Sequence, residues 1–124
     1  MMQKFTLATA LALGALGVII GAFGAHALKP LLESSGRLDT FETGVRYHFY
    51  HALFMLAIGL LMSHIRHPLL NYASLSALIG VILFSGSIYT LCLSGITKFA
   101  IVTPIGGLFL IGAWLLALIS IIKS

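Results

Sequence analysis

Residues 44–63 read GVRYHFYHALFMLAIGLLMS. The second half is a plain apolar run. The first half brings an arginine, two tyrosines and two histidines to its threshold. Whether this stretch crosses a bilayer decides whether the chain has three spans or four.

The rest of the chain favours lipid as the solvent. Of its 124 residues, 60% are apolar and 8% charged, with a mean hydropathy of +1.11. Soluble domains carry roughly 25% charged residues, and so short a soluble chain has no interior large enough for that much apolar surface. The net charge of +4 is spread thinly, so no basic cluster points to nucleic acid. The single cysteine, Cys92, rules out an intrachain disulfide framework and any multi-cysteine metal site.

A helix needs roughly 20 apolar residues to cross a hydrocarbon core of about 30 Å. Phe5–Ala25, Leu69–Thr97 and Phe99–Ile122 are free of charge, and Tyr47–Ser63 is apolar apart from His48 and His51. The expected fold is therefore an all-α integral membrane protein. It is a single domain, an up-down bundle of four transmembrane helices with short loops, at approximately 5–27, 40–64, 69–93 and 104–122. Ala25-His26-Ala27 fits a small-x-small cleavage site, but the apolar stretch before it exceeds the roughly 7–15 residues of a signal peptide. The first helix is therefore expected to be retained.

The connections carry their own signals. Pro30 and Gly36 break the first link, and Asp39 with Glu42 resembles a capping box starting the second helix near Thr40, ahead of the membrane. Pro68 breaks the second link, and LSGITKF (93–99) forms the third. Thr103-Pro104 reads as an N-cap followed by proline at the first helical position, with Phe99–Val102 a separate apolar lead-in. The alternative is one longer helix kinked at Pro104. Four spans put both termini on one side. Lysine and arginine then divide three against four, a count that leaves orientation open. The expectation adopted is termini in the cytoplasm, with all three acids outside.

In lipid, helices associate through close contact, which small residues permit. Ala10, Gly14, Gly17, Gly21 and Gly24 repeat at four, three, four and three residues, a heptad seam on the first helix. Similar series are His48, Ala52, Met55, Gly59 and Met62; Ala73, Ala77, Gly80, Phe84 and Ser87; and Gly106, Leu110, Ala113, Ala117 and Ser120. His48 and His51 lie about 60° apart on a helix and share a side. Glu42 and Arg46 are an i, i+4 pair on roughly the opposite side, expected to form a salt bridge.

Polar groups gather at one end of this bundle: His26, Glu42, Arg46, Tyr47, His48, His51, Ser85, Ser87 and Tyr89. Ionisable groups inside membranes are costly and often functional. Hydrogen bonding that holds the bundle together is the plain reading. A metal set is incomplete, since His48 and His51 lack a second cysteine or a carboxylate pair nearby. A haem bridged between His26 and a second-helix histidine is a further alternative, although His26 points about 160° from the glycine seam on an ideal helix. No cofactor, metal or catalytic set is assigned, and the only firm partner is the bilayer. A second copy or another membrane protein is an open alternative.

Several stretches carry a joint likeness: GAFGAHAL (21–28), ETGVRYHFYHAL (42–53), LFSGSIY (83–89), TPIGG (103–107) and GAW (112–114). In that order they resemble the small membrane proteins of domain-of-unknown-function family 423, which includes transmembrane protein 256-like chains. The resemblance implies a four-span inner-membrane protein of a bacterium and supplies no agreed activity or catalytic residues. Its motifs coincide with the polar set at His26, Tyr47, His51, Ser85, Ser87, Tyr89 and Pro104. His48 is the member this reading would surrender first. The function expected is a non-enzymatic structural or accessory factor of the envelope or of a membrane complex. The rivals are a small carrier or channel with a histidine-lined cavity, and a subunit binding haem, quinone or lipid.

Overall fold

The computed structural model describes residues 2–124. Among them every regular element is helical: α1 (Met2–Ala25), α2 (Lys29–Ser34), α3 (Leu38–Leu61), α4 (Pro68–Ser94), a 3-10 turn (Thr97–Ile101) and α5 (Val102–Lys123). Three segments are long and apolar enough to cross a membrane: Met2–Ala25, Pro68–Ser94 and Thr97–Lys123. α3 matches α1 in length at 24 residues, but Asp39, Glu42, Arg46 and two histidines dilute its first fourteen residues.

The boundaries depart from the sequence expectation in instructive ways. α3 starts two residues before Thr40, and its N-cap is Arg37, with no side-chain cap. The Asp39–Glu42 capping box does not form. Asp39 sits instead inside the first turn, where its carboxylate faces the positive end of the helix dipole. The short helix α2 was not anticipated; it buries Leu32 completely. At α4 the link ends on His67, whose ring nitrogen accepts from the Leu69 amide and caps the helix ahead of Pro68. α4 ends on Gly95 at φ +74°, a left-handed conformation that glycine adopts at no steric cost. α5 begins at Val102, so Pro104 falls third in the helix, still in the first turn where no amide is needed. Thr103 does not cap it; its hydroxyl bonds Ser87 on α4.

Consecutive long helices pair antiparallel. Along α1 and α3, Gly24 faces Phe41, Gly17 faces His48 and Phe49, and Gly59 faces Thr6 and Leu7. Along α4 and α5, Gly80 faces Leu110 and Gly106 faces Leu83 and Phe84. The small-residue series map closely onto the buried faces. In α5 the buried set is Gly106, Leu110, Ala113, Ala117 and Ser120, and in α4 it includes Ala73, Ala77, Gly80 and Ser87. The first-helix seam needs one correction: Gly17 and Gly24 are buried and Gly21 approaches Val45, but Gly14 has no neighbour where a side chain would go. The contact line keeps Ala10 and adds Thr6, which the expected seam lacked.

Two apolar clusters result. One joins Ala10, Phe54, Met55, Ile58, Ala73 and Ala113; the other joins Leu32, Phe41, Ile88 and Cys92. Along α3 the order is Phe41, His48, His51, Phe54. The histidines therefore form a polar layer between two apolar halves. They are the eleventh and fourteenth of the helix's 24 residues, not an approach to it.

Candidate functional site

α3 is the hub of the polar layer, since its two histidines reach all three other long helices. His48 is 2% exposed. Its Nε2 lies 2.7 Å from the Leu13 carbonyl oxygen on α1, and its Nδ1 lies 2.8 Å from the Tyr89 hydroxyl on α4. A carbonyl only accepts, so Nε2 carries the proton and the neutral ring accepts the tyrosine hydroxyl at Nδ1. His51, also buried, has the opposite tautomer. The Trp114 indole on α5 donates to its Nε2 at 3.0 Å, and tryptophan has no acceptor to offer. Nδ1 therefore carries the proton and donates to the Tyr47 carbonyl at 2.7 Å. With both rings neutral, each nitrogen is committed.

Hydroxyls complete the layer. Ser85 donates to the Gly44 carbonyl at 2.7 Å, joining α4 to α3. Ser87 donates to the Phe84 carbonyl and shares a hydrogen bond with Thr103. Tyr89 stacks at a tilt on Phe41, with ring centroids 5.5 Å apart. Among the described residues, no buried polar side-chain atom lacks a partner. Such saturation matters in a low-dielectric interior, where an unpaired polar group is expensive.

Beside this layer an open groove of about 310 Å³ runs between α3, α4 and α5, lined by Tyr47, His51, Phe84, Leu110, Ile111 and Trp114, among others. Its walls are aromatic: Tyr47 meets Phe84 edge-on at 5.0 Å, and Trp114 packs on Phe54 at 4.4 Å.

Three members of the expected set stand apart. His26 is exposed in the turn just past the end of α1, against Val18, Ile19, Ala22 and Phe23, and is not a neighbour of His51. The glycine seam turns toward α3, so a residue about 160° from it must point outward. A haem bridged between His26 and α3 loses its geometry for the same reason. Glu42 and Arg46 are exposed, and the expected salt bridge is absent: Arg46 bonds the Thr43 hydroxyl at 3.2 Å, and the ion pair among the described residues is Lys29–Glu33. His48, the member the sequence reading would surrender first, makes two hydrogen bonds, as His51 does. Trp114 was missed as a site residue. The available signal was a lone tryptophan in the middle of an apolar helix, since a buried indole N–H usually finds an acceptor.

A family model described as "Protein of unknown function (DUF423)" matches residues 20–107. The chain belongs to the DUF423 family. The matched segment includes both histidines, Ser85, Ser87 and Tyr89 of the polar layer, and stops short of Trp114. A UPF0382 membrane protein of Staphylococcus haemolyticus is 41% identical over 103 residues, covering 83% of each chain. The UPF0382 inner membrane protein YgdD of Escherichia coli is 33% identical over 123 residues, covering 99% of this chain and 93% of its own. The UPF0382 membrane protein YwdK of Bacillus subtilis is 34% identical over 109 residues, covering 87% of this chain and 88% of its own. No solved structure matches. With these relatives and three apolar helices, this DUF423 chain is a membrane protein.

Proposed function

We propose that the chain is a four-span protein of the bacterial inner membrane, with both termini on the cytoplasmic side. In this reading the histidine layer is a structural lock, and the protein is a non-enzymatic accessory factor of the envelope or of a membrane complex. The fourth span is α3. Its antiparallel register along α1, from Gly24 against Phe41 to Thr6 against Gly59, carries it through the same depth as an apolar helix of equal length. Inside the bundle its histidines are shielded from lipid.

The observation that carries the lock is the full commitment of four ring nitrogens to α1, α4, α5 and the backbone of α3. A carrier needs a group free to exchange a proton or ligand, and here each exchange would first break a hydrogen bond, three of the four being between helices. The test is proton flux into vesicles holding a pH-sensitive dye. Vesicles with the wild-type protein and with His51→Phe should keep an imposed pH gradient as well as empty vesicles do, while the variant unfolds more easily. A wild-type leak abolished by His51→Phe would sink the lock and favour the carrier.

A further inference from the structure

Glu42 and Arg46 face outward one turn apart on α3. They line an open groove of about 230 Å³ with Phe41 and Val45 on one wall and Gly21, Gly24 and Ala25 on the other. The α1 wall is low because it has almost no side chains. Gly21 lies against Val45, and the Phe41 ring covers Gly24 so closely that a methyl group there would collide with it.

Among the described residues neither charge meets an opposite charge. They do not pair with each other, and Arg46 has only the Thr43 hydroxyl at 3.2 Å. Nearby, Lys29 and Glu33 on α2 are already paired with one another at 3.8 Å. Depth makes the lack of partners costly. Val45 is level with Gly21, four residues before α1 ends at Ala25. Arg46 therefore lies about 6 Å inside the end of that helix at 1.5 Å per residue. This is the zone in which long cationic side chains reach for lipid phosphates.

We propose that this groove is a binding site for the headgroup of an aminophospholipid, phosphatidylethanolamine in chemical class. The proposal rests on the four-span reading above. Arg46 presents a planar fork of donors to the phosphodiester, which it can grip with two hydrogen bonds. Glu42 accepts from the primary ammonium. The carboxylate confers the selectivity: a primary ammonium has three donors, whereas the trimethylammonium of phosphatidylcholine has none. Phosphatidylglycerol keeps the phosphate but brings no cation to Glu42.

The test uses the full chain extracted from membranes already washed with alkaline carbonate, so that retention through the wash reports insertion separately from lipid choice. The protein is then equilibrated in mixed micelles holding equal amounts of chain-matched phosphatidylethanolamine, phosphatidylcholine and phosphatidylglycerol, and retained lipid is counted by native mass spectrometry. The expected result is one phosphatidylethanolamine per chain, favoured at least about ten-fold over each competitor, the weight of one charge-assisted hydrogen bond. Glu42→Gln should bring phosphatidylcholine level with phosphatidylethanolamine. Arg46→Gln should lower the retention of all three together, since each carries the phosphodiester, while Arg46→Lys keeps retention and preference and guards against a folding defect, with helicity checked by circular dichroism. Lys29→Gln should change nothing. Equal retention by the wild type, preference for phosphatidylglycerol, or an equal loss with Lys29→Gln overturns the site. Protein released by carbonate overturns the spanning reading and the site together.

Discussion

Removing His48 should cost more than the loss of one side chain's contacts, because Tyr89 depends on it. In His48→Phe a ring of similar size fills a position that is 2% exposed, but two hydrogen bonds disappear. The Leu13 carbonyl keeps its place in the continuous ladder of α1. The Tyr89 hydroxyl is left without its acceptor. Interhelical hydrogen bonds in membranes contribute about 0.6 kcal/mol on average and about 1.7 at most. Leaving a buried donor unmade adds roughly 1–3 kcal/mol, so His48→Phe should lose about 2–3 kcal/mol in all. Tyr89→Phe should lose about 2 kcal/mol, since one bond goes and the buried His48 Nδ1 loses its donor, while Nε2 keeps Leu13. The double variant should fall short of the sum by about 2–3 kcal/mol, because the sum counts the shared bond twice and the orphaned groups are gone. Reversible unfolding in mixed micelles of rising SDS fraction, followed by circular dichroism, measures all four corners of the cycle. Additivity within about 0.3 kcal/mol would mean the two side chains are not coupled, and the assigned tautomer and the lock would both fail.

Other outcomes follow from the same coordinates. Gly106→Ala should sit near the upper end of the roughly 1–3 kcal/mol cost of overpacking. Its Cβ would lie 2.7 Å from the Leu83 carbonyl carbon and the Phe84 Cα, backbone atoms that cannot rotate away. Gly14→Ala has nothing within 4 Å to meet and should stay within about 0.5 kcal/mol of wild type; equal effects in the SDS titration would refute the seam as drawn. Ser85→Ala should lose about 1 kcal/mol with its bond to Gly44, whereas Thr90→Ala, which bonds only within its own helix, should be close to neutral. Trp114, the only tryptophan, is the thirteenth of 22 residues in α5. Its fluorescence should be quenched more by bromines near acyl-chain ends than by bromines near the headgroup. The reverse order would place it in an interfacial belt and displace α5 along the membrane normal.

The helix faces were legible and their partners were not. A step of about 100° per residue links positions three and four apart, so the seam through Gly106, Leu110, Ala113, Ala117 and Ser120 could be read from spacing alone. The same rule overreached at Gly14. It fits the heptad, but Thr6, Ala10 and Gly17 make the contact line, and a small rotation of α1 excludes Gly14. The Asp39–Glu42 box failed because Arg37 could begin the helix earlier. The Glu42–Arg46 bridge failed because spacing permits an ion pair without compelling one. Surface pairs gain little in any case. Trp114 was visible as an oddity, but nothing local says which acceptor lies 63 residues back along the chain.

From the sequence alone follow the medium, the helical class, the approximate helix borders and the inward face of each helix. These are local properties, set by hydropathy over about 20 residues and by the pitch of a single helix. Only the tertiary structure decided that His48 and His51 lie between two apolar clusters, that His26 points away from them, and that Leu13, Tyr89 and Trp114 are their partners. The physical reason is that a hydrogen bond between helices depends on their relative rotation and height. Those two quantities are settled by packing across the whole bundle, and no stretch of the chain contains them.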